Sequence, residues 1–226
     1  MPPKKVDSSP LNREIPDSPV VVELFSSQAC LFCPKADEYL NRLSKKENVI
    51  ALACHVDYYD VREGSLAQPF CTQRQNQYSH SLRSGPRYTP QMILNGRYDV
   101  IGHKTAQVDK AFSDAARNGL QKIRIQKLDD NTFRLSMPQI DKGQYAIWVA
   151  LILKPAEREI QQGKNRGQNI TYQNIVNSLA SPMIWSGDPD ELDLSAELDD
   201  SHEKIVVMAQ NQIDGHIMAA GQYRAP

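Results

Sequence analysis

The chain has no excess of either charge. Its 26 lysines and arginines stand against 27 aspartates and glutamates, a net of -1 over 226 residues. Binding a polyanion needs a concentrated basic face, so the electrostatic case for a nucleic-acid partner falls away. There is no long apolar run either: the longest, Tyr145 to Leu153, is far short of the ~20 residues a membrane-spanning helix needs. Nor does the chain open on a secretory signal, because Lys4 and Lys5 are followed by Val6-Asp7-Ser8-Ser9-Pro10 rather than by an apolar stretch. That leaves a cytosolic protein, or an exported one whose signal has been removed. Cysteine is scarce: four residues are too few for a disulfide-stapled mini-domain, although their number is even. What is there, 40% apolar and 23% charged residues, is the balance of an ordinary soluble globular protein, long enough for one large domain or two small ones.

Residues 1–19 hold five prolines and almost nothing to bury, the composition of a disordered or extended arm. From Val20 the pattern alternates. Val20 to Phe25 and Val49 to Val56 are β-branched apolar runs. Between them, Ala36, Tyr39, Leu40 and Leu43 fall at helical spacing, which predicts a βαβ unit with parallel strands ending on one edge. A polar helical stretch follows over Thr72 to Leu82. Next comes a hairpin through Asn95-Gly96, and then a helix lined by Val108, Ala111, Phe112 and Ala115 that stops at Asn118-Gly119. Beyond Gly119 helical periodicity is almost absent. Lys122 to Leu128, Thr132 to Met137, Tyr145 to Leu153, Lys204 to Gln210 and His216 to Tyr223 read as strands, which makes 120–226 an antiparallel, sandwich-like β domain. Within it, 155–200 is expected to be an irregular insertion lying over one face.

The strongest chemical feature is Cys30-Leu31-Phe32-Cys33, between the first strand and a helix that starts at Pro34. At a helix N-terminus the free N–H groups and the macrodipole stabilise a thiolate. The first cysteine is then the nucleophile, and the second resolves the mixed disulfide. The same spacing is also half of a zinc site, and it is the strand-loop-helix context that favours redox chemistry. Thr89-Pro90 stands directly before the strand Gln91 to Leu94, where proline is normally unwelcome, and X-Pro is the one linkage whose cis form is cheap.

The segment from Val20 to Gly119 resembles a compact, glutaredoxin-type thioredoxin fold, in which a cis proline faces the CxxC and offers backbone groups to an extended substrate. Five blocks, VVELFSSQACLFCPKAD, HVDYYD, TQRQ, YTPQMILNGR and GKNRGQNITYQNIV, resemble in order the exported proteobacterial thioredoxin-like proteins grouped as domain of unknown function 1223. The resemblance implies an α/β fold and a periplasmic or secreted location and carries fold further than function; the reaction expected from the CxxC is thiol-disulfide exchange on protein thiols or small thiols, with no cofactor and no metal. Leu31-Phe32 matches neither the Gly-Pro of thioredoxins nor the Pro-Tyr of many glutaredoxins, so the direction of electron flow does not carry over. Gly102-His103-Lys104 replaces the Gly-Gly and acidic residue that hold glutathione.

The segment Cys54-His55-Val56-Asp57-Tyr58-Tyr59-Asp60 should lie on the CxxC edge. There His55 and Asp57 are placed to relay the proton leaving Cys33, or else to satisfy loop backbone groups. Glu23, inside the first strand, is a candidate buried base or a structural hydrogen-bonding group. For Cys54 and Cys71 three readings stay open: a structural disulfide, which is preferred in an exported protein, a second redox pair, or packed thiols. Arg74, Arg83, Arg87 and Arg97 gather in sequence around Thr89-Pro90 as a solvated face or a site for an acidic partner. The catalytic assignment is therefore Cys30, Cys33, Thr89, Pro90, His55, Glu23 and Asp57. The alternatives are a binding module on a thioredoxin scaffold with locked disulfides, or a copper or zinc site built from the four cysteines with His55.

Overall fold

The computed structural model describes residues 18–59, 64–161 and 163–225. The proline-rich arm up to residue 17 lies outside them, as does Asp60. Seven elements form the first part: β1 (Val20–Ser26), α1 (Cys33–Leu43), β2 (Val49–His55), α2 (Pro69–Ser81), β3 (Gln91–Leu94), β4 (Tyr98–Ile101) and α3 (Thr105–Arg117). The strands lie in the order β2-β1-β3-β4, with β1 and β2 parallel and β3 antiparallel to both its neighbours. The β3–β4 turn takes positive φ at Asn95 and Gly96, the conformation that an Asn-Gly hairpin turn requires.

Every residue of β1 and β2 is buried, because the sheet is covered on both faces. The period-two alternation of a strand divides them. Val20, Val22 and Leu24 pack with Ala36 and Leu40 of α1 and with Val108 and Phe112 of α3. Val21 and Phe25 turn the other way, against Ala150, Ile152, Val206 and Met208.

Those last four residues belong to the second part, whose strands are β5 (Gln121–Lys122), β6 (Arg124–Lys127), β7 (Thr132–Met137), β8 (Tyr145–Leu153), β9 (Ala156–Glu159), β10 (Asn169–Tyr172), β11 (Val176–Trp185), β12 (Asp190–Ser195), β13 (His202–Asn211) and β14 (Ile217–Arg224). They build a five-stranded sheet, β11-β8-β13-β14-β5, a three-stranded sheet, β12-β7-β6, and the ribbon β10-β9. Ile205, Val207 and Ala209 of β13 face Phe133 and Leu135 of the three-stranded sheet, while Val206 and Met208 face the first sheet. The continuous apolar run in β13 is the mark of a strand buried on both sides. The molecule is thus four layers deep: helices α1 and α3, the first sheet, the five-stranded sheet and the three-stranded sheet.

The expected irregular insertion over 155–200 is instead largely strand. β11 extends the five-stranded sheet beside β8, and β12 pairs with β7. The alternation of β11 is broken because its ladder slips between Val176 and Ser178 and again between Ala180 and Met183, with Pro182 in the second slip. An edge strand tolerates both, since its outer backbone groups face solvent. The expected strand over Lys122 to Leu128 is divided: β5 pairs with β14, and after Ile123 the chain crosses to the other sheet as β6.

Arg74 is no part of a solvated face. It is fully buried between the first sheet, α2 and the five-stranded sheet. Its Nε and Nη2 donate to Glu23 at 2.8 and 2.9 Å, and its Nη1 donates to Gln210 Oε1 at 2.6 Å. The guanidinium lies over the rings of Tyr78 and Trp148. Glu23, which also accepts from the Tyr78 hydroxyl, is one half of this bidentate pair, on the face of β1 turned away from α1. Removing one member of a buried pair strands the other. Arg74→Met should therefore lose about 3–5 kcal/mol in urea unfolding, and adding Glu23→Leu should return a large part of it. A single variant within about 1 kcal/mol of wild type would show that the pair contributes little.

Candidate active site

β1 ends at Ser26, and α1 begins at Cys33 with Pro34 in its first turn. No side chain among the described residues caps that helix, so the N–H groups of Phe32 and Cys33 serve the Cys30 sulfur with only the Cys30 carbonyl, 3.3 Å from the Cys33 N–H, competing for them. Cys30 is partly exposed, Cys33 is buried, and both are free thiols. The Cys33 thiol donates to the Cys30 sulfur. With the Thr89 hydroxyl and the N–H groups of Phe32 and Cys33, it outweighs partial burial and brings the Cys30 thiol down to about 6. Burial pushes the Cys33 thiol far up, and the hydrogen bond and charge of Cys30 and the charge of Asp37 push it the same way. One cysteine is thus poised as a thiolate and its partner is held protonated.

Asp37, one turn beyond Cys33 on the buried stripe of α1, was not among the residues expected at the site. Its Oδ2 accepts from Ser26 Oγ at 2.8 Å, and its Oδ1 is buried with no hydrogen-bond partner among the described residues. Burial raises its carboxyl to about 7 against the hydrogen bond from Ser26, and the charge of Cys30 adds to the rise.

The Thr89-Pro90 peptide is cis. Gln75 of α2 donates to the carbonyl of Tyr88 and to Gln91 Oε1, both at 2.8 Å, and so fixes this segment from below. Phe32 is stacked on His103 with ring centroids 4.6 Å apart, and Leu31 and Phe32 stay 52% and 48% exposed. The two residues between the cysteines therefore form an apolar lip beside the thiol.

His55 and Asp57 lie on the same edge but are not hydrogen-bonded to either cysteine among the described residues. His55 is buried edge-on against Tyr172, with neither ring nitrogen hydrogen-bonded among the described residues, and burial lowers it to about 4. Asp57 accepts from the Thr72 hydroxyl at 2.5 Å, while its own N–H donates to that hydroxyl at 3.1 Å. Cys54 and Cys71 form a disulfide that ties the end of β2 to the first turn of α2. Their sulfurs are thereby removed from any metal site, and the described residues bring together no group of three His, Cys, Asp or Glu side chains.

A second unexpected residue comes from the far part of the chain. The ribbon β9–β10 carries at its tip a single 3-10 turn, Gly163–Asn165, which sits on the CxxC loop. Asn165 is buried, and its Nδ2 donates to the carbonyl of Cys30 at 2.7 Å and to that of Gln28 at 3.4 Å. Gly163 has φ +73°, and a Cβ there would stand 2.6 Å from the Ala29 carbonyl oxygen, so only glycine allows this approach. Asn165 has no local sequence signal, whereas Asp37 sits four residues after Cys33 on an otherwise apolar helix face.

The family model described as "Protein of unknown function (DUF1223)" matches residues 21–210. A protein of Archaeoglobus fulgidus named "Probable Thioredoxin" is 28% identical over 83 residues, which are 37% of this chain and 74% of that protein. The crystal structure of an Agrobacterium tumefaciens protein superimposes with a TM-score of 0.75 at 27% identity, covering 90% of this chain and 92% of the other.

The raised carboxyl of Asp37 has a consequence for stability. Between its usual value of 3.8 and about 7, the folded chain holds a proton that the unfolded chain has released, so stability falls as pH rises through that window. Asp37→Asn, in the reduced protein, should match wild type near pH 4 and exceed it by on the order of 3 kcal/mol at pH 8. A difference that stays flat with pH would place the Asp37 carboxyl in the ordinary range.

Proposed function

The chain belongs to the DUF1223 family, and we propose that it is a thiol-disulfide oxidoreductase in which Cys30 attacks and Cys33 resolves. The observation that carries this reading is the asymmetry of the two thiols at the uncapped start of α1. With a pKa of about 6, Cys30 is roughly nine-tenths thiolate at pH 7. It attacks one sulfur of a substrate disulfide, forms a mixed disulfide and expels the other sulfur as a thiolate. The negative charge beside Cys33 is then gone, and with it the hydrogen bond and the repulsion that held the Cys33 proton.

Asp37, close enough to feel the charge of Cys30 and to act on Cys33, takes that proton. The Cys33 thiolate attacks Cys30 Sγ, the second substrate thiolate leaves, and two electrons have passed from the dithiol to the substrate. The reverse sequence oxidises a dithiol. A stabilised Cys30 thiolate favours the reduced pair, which moves the potential toward the oxidising side. Similarity over 83 residues to a protein named as a probable thioredoxin supports the reading. We place the protein in an oxidising compartment such as the periplasm, where a Cys54–Cys71 bridge persists. Its partners are then disulfide- or thiol-bearing proteins or small thiols that reach the apolar lip of Leu31 and Phe32.

Alkylation of the reduced protein should label Cys30 with a rate that titrates near pH 6 and should leave Cys33 untouched. Cys30→Ser should abolish dithiol exchange without loss of fold, and Cys33→Ser should accumulate mixed disulfides. A Cys30 midpoint in the ordinary thiol range, together with no exchange activity, would rule the assignment out and leave a binding module.

A further inference from the structure

We propose that Asn165, carried in from the β-rich part of the chain, is a positioning residue for the Cys30 thiolate: by donating to the carbonyl of Cys30 it relieves that oxygen's demand on the N–H of Cys33, which the oxygen shares with the sulfur. The inference deepens the oxidoreductase reading and rests on it. The N–H of Cys33 has two acceptors within reach, the Cys30 carbonyl at 3.3 Å and the Cys30 sulfur. A peptide carbonyl buried without a donor draws in whatever N–H is near. The Asn165 carboxamide meets that need at 2.7 Å, a much shorter contact than the Cys33 amide makes with the same oxygen. Shared between the two acceptors in this way, the Cys33 amide gives more to the sulfur, where a hydrogen bond to a charged acceptor is stronger.

The donor stands on a fixed support. Ile160 and Tyr172 anchor the two ends of the ribbon in a core shared with Leu66 and Ile175. The tip is closed by hydrogen bonds from Gly167 N–H to the Ile160 carbonyl and from Gln168 N–H to the Asn165 carbonyl. The absence of a side chain at Gly163 lets the turn press against Ala29. From the other side, Gln28 Oε1 accepts from the N–H of Leu66 at 2.9 Å and from Ser65 Oγ, so the loop cannot drift away from Asn165. The other groups that bear on the thiol are Cys33 and Asp37 on α1, the N–H of Phe32, and Thr89 on the cis-proline segment; Lys164 and Arg166, which flank Asn165 in sequence, are exposed. A substitution at residue 165 leaves the charge of all of them unchanged.

The test uses the full chain with Asn165→Ala and with Asn165→Leu, which keeps the branched outline of the side chain at a larger volume but has no donor. The Cys30 midpoint is read from thiolate absorbance and from the pH profile of alkylation, and the Cys30–Cys33 equilibrium is read against a glutathione redox buffer. Both variants should raise the midpoint by about 0.5–1 pH unit and shift the equilibrium at pH 7 roughly three- to fivefold toward the disulfide. A purely structural role would lower the unfolding midpoint of the reduced and oxidised forms alike and move neither reading. Folded variants with an unchanged thiol midpoint would overturn the proposal while leaving the oxidoreductase reading intact. An ordinary thiol midpoint in the wild type would overturn that reading itself. Unfolding of both variants would make Asn165 a determinant of the fold and overturn its assignment as a positioning residue.

Discussion

The first sheet is covered on both faces, and most of the structure follows from that constraint. A strand pair with no wet face must be apolar throughout, as β1 and β2 are apart from Glu23, Ser26 and His55. The exceptions show how a polar group survives there. Glu23 is paired twice with Arg74, Ser26 donates to Asp37, and His55 is neutral at physiological pH because its burial disfavours the cation. Backbone groups left over at the ends of the strands have to be satisfied in the loops. The loop after β1 is therefore where the protein concentrates its donors, and Cys30 sits among them.

A graded depth of burial then separates the two cysteines. Cys30 is open enough to meet a substrate and is surrounded by donors, whereas Cys33, in the first turn of α1, meets a buried carboxylate and the thiolate itself. The same helix turn that supplies N–H groups to one sulfur thus withholds ionisation from the other. In the proposed cycle, loss of the charge on the first sulfur in a mixed disulfide releases the second. The group proposed to take that proton is Asp37, whose buried carboxyl lies on the same helix and acts on Cys33 through its charge.

The block Gly163 to Val176 acquires a physical role only in three dimensions. Its residues sew the second part to the first: Asn165 on Cys30, Tyr172 on His55, and Asn174, whose carbonyl accepts from Ala53 N–H and whose side chain accepts from the buried Lys204. Sequence alone reads this stretch as polar and without periodicity, since contacts made with a distant loop leave no local pattern. Arg74 is hidden for a related reason. Flanked by Gln73 and Gln75, it reads as one of a solvated group, and only the second sheet closing over α2 turns it into a core residue. Asp37 was legible in principle, as a carboxylate on the apolar face of a helix four residues beyond Cys33. His55 and Asp57 are the more conspicuous candidates in the sequence, because they stand on the expected edge.

What the sequence determined by itself is the local framework. The β-branched runs of β1 and β2, the helical spacing of α1, the Asn-Gly hairpin, the proline before β3 and the position of Cys30-Leu31-Phe32-Cys33 all follow from short-range stereochemistry and periodicity. What only the tertiary structure decided is which groups meet: Glu23 with Arg74, Cys54 with Cys71, Asp37 with the thiols, and Asn165 with the Cys30 carbonyl. The reason is that pairing across layers depends on how sheets stack and where an edge strand slips. β11, with two register shifts and Pro182 in the second, carries too weak an alternation for that stacking to be read from the chain.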